Sequence, residues 1–183
     1  AHQIRDRIAK PLGMNTLQPD YQWIDIPNRT IGYRKRQNKI VVSSNTDVSW
    51  KLGGGGYISS IEDLAKLGEG LLNGKLIQPK TRDLMWAPRK TTTGKQTSYG
   101  LGFRRWKYVN GALQSVSAEA SVTESKNQVL MQLVGHSGSQ EKTKTLLVLE
   151  PQKRFGMVLM SNSEHTQIYS LAEALMKASP QKP

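Results

Sequence analysis

The sequence predicts an α+β fold, an antiparallel sheet with helices packed on it. Apolar residues recur at helical spacing in the first half of the chain and again near its end. After residue 98 the pattern changes to strand-like runs. Two polar turns there, Asn110-Gly111 and Pro151-Gln152-Lys153-Arg154, join neighbouring runs as hairpins. Strands grouped together, rather than alternating with helices, argue for antiparallel pairing.

Residues 3–10 read as the last turns of a helix that begins outside the chain. Pro11 is expected to stop it, and Leu12-Gly13-Met14 to turn the chain away. Residues 15–56 hold no sustained helical period and are punctuated by Pro19, Pro27, Asn28 and Gly32. Short strands fit 21–26 and 39–42 within this long excursion, which is expected to be functional or to cover a surface. Four glycines at 53–56 follow. They lack the Lys-Ser/Thr of a phosphate loop and the buried strand of a dinucleotide fingerprint, so close backbone approach is the expected reason for them.

Ser59 with Glu62, or Ser60 with Asp63, has capping-box spacing at the start of the next helix. Ile61, Leu64, Ala65, Leu71 and Leu72 share one face of that helix, and Asn73-Gly74 ends it. A shorter helix fits 79–85, with Pro79 in its first turn. Strands are expected at 99–109, 129–135, 144–150 and 155–161. Ile168, Leu171, Ala172, Leu175 and Met176 form an amphipathic terminal helix. The parts are thus 1–56, a helix tail and excursion; 57–98, helices; and 99–183, sheet and terminal helix.

The composition excludes several function classes. Of 183 residues, 37% are hydrophobic and 22% charged, which suits a globular chain rather than a disordered one. No apolar run approaches the roughly 18 residues of a membrane span. The first ten residues carry charges where a signal peptide needs an apolar core. The chain opens on Ala1, so an upstream segment is expected to have been removed. The absence of cysteine rules out disulfides and thiolate chemistry, and three histidines without His-x-x-x-His spacing suggest no metal site. The formal charge of +12 would attract polyanions. Its densest cluster, Arg34-Lys35-Arg36 with Lys39, is short and has no interleaved aromatic residues, so nucleic-acid binding is not expected.

Four stretches, in order, resemble the serine β-lactamase-like and penicillin-binding protein superfamily. The superfamily includes D-alanyl-D-alanine carboxypeptidases, class C β-lactamases and esterases. The first stretch is Ile8-Ala9-Lys10-Pro11-Leu12-Gly13-Met14-Asn15-Thr16. The second is Gly55-Gly56-Tyr57-Ile58-Ser59-Ser60-Ile61-Glu62-Asp63-Leu64. The third is Tyr99-Gly100-Leu101-Gly102-Phe103. The fourth is Gly135-His136-Ser137-Gly138, with a hairpin that closes on Val158-Leu159-Met160-Ser161-Asn162. The resemblance implies the carboxy-terminal part of a β-lactamase/transpeptidase-like fold.

That family's site combines a Ser-x-x-Lys nucleophile, a Tyr-x-Asn base partner and a Lys/His-Thr/Ser-Gly strand. By resemblance, only the third element lies in this chain. It would assign His136 a place beside the nucleophile and base, and Ser137 a hydrogen bond to substrate. Gly138 would permit close backbone approach, and the backbone N–H of Ser139 would be one of two oxyanion donors. Losing one such donor typically costs about a hundredfold or more in rate. His at 136 resembles the peptidase and esterase branches more than the β-lactamases. His2 and His165 carry no motif.

Two formal matches are expected to be coincidental. Ser139-Gln140-Glu141-Lys142 follows the His-Ser-Gly strand, whereas the chemistry needs serine and lysine on one helical face. Tyr108-Val109-Asn110 runs into a hairpin turn.

The implied function is acyl transfer on a D-amino-acid peptide, β-lactam or small ester, with no cofactor, by a protein that is periplasmic or extracellular. The partner would be the amino-terminal half of the same domain, without which the chain is expected to be inactive. The alternatives are a non-catalytic binding or structural domain and, less favoured, a basic polyanion binder.

Overall fold

The computed structural model describes residues 1–116 and 131–178. Helix α1 covers 2–12 and is π-helical over Arg5–Ala9. Pro11 does not stop it. The ring of a helical proline crowds the carbonyl four residues back, and the widened turn, in which the Lys10 N–H reaches the Arg5 carbonyl, accommodates it. The stop comes at Gly13, with φ 65°. There the Met14 N–H donates to the Ala9 carbonyl (2.9 Å) and the Gly13 N–H to that of Lys10 (3.1 Å), a Schellman cap. Ala9, Leu12 and Met14 bury together beneath it.

The excursion leaves and returns side by side, because β1 (Gln18–Pro19) pairs antiparallel with β4 (Tyr57–Ile58). Between them β2 (Tyr33–Arg36) and β3 (Lys39–Val42) form a hairpin. Gln37 and Asn38 both have positive φ, as a two-residue primed turn requires. The basic cluster therefore sits on this hairpin. No strand forms at 21–26. The Arg29 guanidinium pairs with Asp20 and takes the carbonyls of Tyr21 (3.0 Å) and Ile24 (3.3 Å), acceptors that a ladder would need. The glycine run contains a single helical turn, Leu52–Gly55. Close approach accounts for its last two members. A Cβ on Gly55 would lie 2.2 Å from Gln140 Nε2, and one on Gly56 2.7 Å from the Val48 carbonyl.

Helix α2 (Ile61–Leu72) starts where the Ser60 hydroxyl accepts the Asp63 N–H at 3.3 Å, which selects Ser60–Asp63 over Ser59–Glu62. It ends as expected at Asn73, with Gly74 at φ 70°. Ile61, expected on the buried face, is 43% exposed. That face is instead built on Leu71 and on Gly68, where an added Cβ would lie 3.1 Å from Leu149 and 3.2 Å from Leu147. Helix α3 (Pro79–Trp86) follows, with Pro79 in its first turn.

The main sheet comprises β5 (Arg104–Val109), β6 (Ala112–Ser115), β7 (Met131–Gln140), β8 (Thr143–Glu150) and β9 (Phe155–Ser161). They lie in the order β6-β5-β7-β8-β9, with every neighbouring pair antiparallel. The Asn110-Gly111 turn has positive φ at both residues, as its dipeptide predicts. Tyr99 lies outside β5, because residues 99–103 fold into a tight loop. Of the strand expected at 129–135, residues 129 and 130 lie outside the described residues, and β7 runs on to Gln140.

Strand alternation separates two cores. Trp106, Leu133, Leu146 and Val148 meet α4 (Ile168–Ala178) through Ile168, Ala172 and Met176. On the opposite face Val134, Leu147 and Leu149 meet Leu71 of α2 and Trp86 of α3. The architecture is the α+β arrangement that the sequence predicts.

Candidate active site

Strand β7 outlasts its neighbour. Pairing with β5 ends at Arg104↔Gly135, whereas pairing with β8 continues to Gln140↔Thr143, closed by the two-residue turn Glu141-Lys142. In an antiparallel ladder, alternate residues direct their peptide groups to opposite neighbours. The closing pair of a two-residue hairpin bonds across it, so Gln140, Gly138 and His136 face β8. Ser137 and Ser139 therefore direct N–H and C=O groups to the side where β5 has ended. A peptide edge of this kind can receive an extended ligand or an oxyanion.

The side chains follow the same parity. His136, Gly138 and Gln140 share the face of Val134, under α2 and α3; Ser137 and Ser139 share that of Leu133, under α4. His136 is exposed. Its Nδ1 lies 2.7 Å from the Ser137 carbonyl oxygen and its Nε2 2.5 Å from the Tyr99 hydroxyl. The rings meet edge to face, with centroids 5.7 Å apart. A Cβ on Gly138 would meet Thr145 Oγ1 at 2.3 Å. The Ser139 hydroxyl accepts from Lys144 Nζ at 2.5 Å.

The four residues singled out from sequence are therefore contiguous on one strand that, among the described residues, has no paired neighbour on the β5 side beyond Gly135. Sequence reasoning assigned Tyr99 no role, although its Tyr-Gly-Leu-Gly signature was visible. It also missed Gln140 and Lys51. Lys51 Nζ donates to Gln140 Oε1 (2.8 Å), and Gln140 Nε2 donates to the Gly55 carbonyl (3.0 Å), so this bridge ties the excursion to β7. A groove of about 540 Å³ lies between them, lined in part by Lys51, Tyr57, Gln140, Thr145 and Asn162.

The two formal matches do not assemble a nucleophile site. Ser139 lies in a strand and Lys142 in a turn, where its ammonium bonds Asn45 rather than the serine. Tyr108 is buried, and its hydroxyl donates to the Glu173 carbonyl at 3.3 Å. No group of three or more His, Asp or Glu residues positioned to hold a metal occurs among the described residues, and no helix there is long and apolar enough to cross a membrane.

Comparison with known proteins bears on the family and the fold. PbpX of Bacillus subtilis (strain 168), which is described as penicillin-binding-protein-like, is 30% identical over 100 residues, covering 55% of this chain and 24% of that protein. Three solved structures show the same fold. The D-stereospecific amidohydrolase from Streptomyces sp. has a TM-score of 0.68 at 16% identity, covering 100% of this chain and 48% of its own. FmtA from Staphylococcus aureus has 0.70 at 14%, covering 100% and 44%. The D-amino acid amidase from Ochrobactrum anthropi SV3 has 0.68 at 18%, covering 98% and 52%. The chain thus spans about half the length of these structures, and less of PbpX. The family model described as Beta-lactamase matches residues 1–178, so the chain belongs to the Beta-lactamase family.

Proposed function

We propose that this chain supplies one wall of the acyl-transfer cleft of a penicillin-recognising serine hydrolase. On this reading it is the carboxy-terminal portion, and the attacking serine, with its lysine and base tyrosine, lies on polypeptide outside it. One observation carries the proposal: the Ser139 peptide group faces the uncovered edge of β7, one residue beyond Gly138 and three beyond His136.

The chemistry follows from that edge. A serine hydroxyl gives its proton to the lysine or base tyrosine beside it and adds to the substrate carbonyl, whose oxygen takes up negative charge. The Ser139 N–H and the nucleophile's own N–H stabilise that charge, which is greater in the transition state than in the ground state. The leaving group departs with a proton, and water then hydrolyses the serine ester. Ser137 hydrogen-bonds the substrate, Gly138 permits close backbone approach, and His136 contacts the base tyrosine or a substrate carboxylate. No cofactor enters these steps.

The substrate would be a D-amino-acid peptide or amide, a β-lactam or a small ester. The names of the amidohydrolase and amidase among the structural relatives favour the D-amino-acid class. By resemblance to its family, the protein would be periplasmic or extracellular. A fluorescent penicillin or phosphonate should label a full-length parent and leave this chain unlabelled. Covalent labelling of this chain at Ser139 overturns the assignment.

A second reading is a non-catalytic domain that associates with another polypeptide. Trp50 at 79% exposure and Trp23 at 69% favour it. A compact monomer in analytical ultracentrifugation, with no binding of an apolar dye, would count against it.

A further inference from the structure

We infer that Tyr99 is the positioning residue of His136, holding its imidazole as the Nδ1–H tautomer with the ring turned along the open edge of β7. The inference rests on the reading of His136 as a cleft residue and extends it to a residue that reading leaves without a role.

The carbonyl of Ser137 sets the protonation of the ring. A carbonyl oxygen only accepts, so the 2.7 Å contact requires a proton on His136 Nδ1. In the neutral ring Nε2 then carries a lone pair, and the Tyr99 hydroxyl, 2.5 Å away, donates to it. The Ser137 contact selects the tautomer, the Tyr99 hydroxyl completes it as a donor to the bare Nε2, and together the two contacts fix the ring's proton and its rotation.

The loop carrying Tyr99 is built to hold that hydroxyl still. The Tyr99 carbonyl accepts the Arg89 N–H at 3.0 Å and the Thr97 hydroxyl at 3.0 Å, and the Tyr99 N–H donates to Thr97 Oγ1 at 3.3 Å. The next residue, Gly100, donates its N–H to the Phe103 carbonyl at 2.8 Å. A Cβ on Gly100 would stand 2.2 Å from the Met85 carbonyl. Gly102 turns the chain at φ 77°. The Arg104 guanidinium lies over the Tyr99 ring, 5.5 Å from its centroid. The Tyr-Gly-Leu-Gly sequence thus makes a tight loop between α3 and β5 that aims one phenol at one imidazole.

The arrangement has a chemical consequence. While the imidazole is neutral, the phenol proton is committed to Nε2 and the phenol oxygen offers only lone pairs to a ligand. When the imidazole is protonated, Nε2–H donates to the phenol oxygen, and the phenol O–H is released to donate elsewhere. The pair therefore presents an acceptor in one state and a donor in the other, with one proton gained, the Tyr99–His136 hydrogen bond reversed and no other covalent bond changed.

Long-range 15N–1H spectra of the full chain labelled at histidine test the assignment, with His136→Gln identifying the His136 signals among the three histidines. The neutral wild-type ring should show a protonated Nδ1 and a bare Nε2. Tyr99→Phe keeps the ring and removes the donor. Because a phenol also accepts from Nε2–H, though less well than it donates, the tautomer ratio should shift toward Nε2–H by about two- to fivefold, less than the tenfold of a whole bond. An Nε2–H tautomer in the wild type overturns the inference even if the variant fails to fold. So does a folded Tyr99→Phe variant with unchanged ring-nitrogen shifts. Failure of a full-length parent to react with penicillin would overturn the hydrolase reading and leave this result standing.

Discussion

The carboxylate of Asp63 accepts the backbone N–H of Thr16 at 2.6 Å and the Thr16 hydroxyl at 2.7 Å, tying the exit of α1 to the first turn of α2. Lys66 adds its ammonium at 2.9 Å. Asp63 is 2% exposed. Burial alone pushes its carboxyl up. The donors of Thr16 and Lys66 outweigh burial and hold it below the ordinary 3.8.

A carboxyl lowered in the folded state adds stability that is present above its unfolded value. That stability is lost as pH falls through the folded value. Asp63→Asn should therefore cost about 1–3 kcal/mol at neutral pH, because the amide keeps only one acceptor oxygen and sets its NH₂ group against either the Thr16 donors on Oδ2 or the Lys66 ammonium on Oδ1. The deficit should shrink below the ordinary 3.8, where the wild-type carboxyl begins to protonate. Denaturant unfolding of both proteins at neutral and acid pH checks this. An equal deficit at both would rule out the ionic account.

The Asp63–Thr16 pair also marks the limit of what the sequence shows. Ser60 and Asp63 were legible as a cap, and Asn110-Gly111 as a turn, because the partners lie within three residues and the dipeptide's backbone preference is intrinsic. The pairing of Thr16 with Asp63 spans 47 residues and has no periodic signature. The same holds for Arg29, which takes carbonyls that 21–26 would need as a strand, and for Tyr99, which meets His136 only after the sheet has formed. At the site, the strand of His136, Ser137, Gly138 and Ser139 was legible by resemblance. That β5 stops at Arg104 and leaves the Ser139 peptide uncovered was not, because strand length is set by pairing across the sheet.

Gly135 and Gly138 should differ sharply on substitution. A Cβ on Gly135 would lie 1.9 Å from the Leu147 carbonyl oxygen, a backbone atom of the adjoining strand. Relieving that clash would bend the sheet, so Gly135→Ala should cost about 1–3 kcal/mol, as overpacking does. At Gly138 the obstacle is Thr145 Oγ1, a side-chain end that can rotate away. Gly138→Ala should cost less than about 1 kcal/mol, offset in part by lower chain entropy in the unfolded state. Thermal unfolding that ranks the two in the opposite order would contradict the register of β7 on β8.

Tyr108→Phe tests whether Tyr108-Val109-Asn110 is only a hairpin. The substitution keeps the buried ring and deletes one hydrogen bond to the Glu173 carbonyl. Stability should fall by about 0.5–1.5 kcal/mol. Labelling of a full-length parent by penicillin should be unchanged. A large loss of labelling without unfolding would place Tyr108 in the chemistry after all.

Gln140 should couple the excursion to the sheet without supporting the sheet itself. Its amide accepts from Lys51 and donates to the Gly55 carbonyl, so both bonds run from β7 into the segment before β4. The cores, by contrast, are built from leucines and aromatic residues that Gln140 does not join. Gln140→Ala should therefore open the excursion locally, with a global cost of only about 0.5–1.5 kcal/mol per bond lost. Hydrogen exchange should speed up at residues 51–56 and stay slow in β8. Equal acceleration in both would mean that excursion and sheet unfold as one unit, and unchanged exchange at 51–56 would mean that contacts other than Gln140 hold the excursion down.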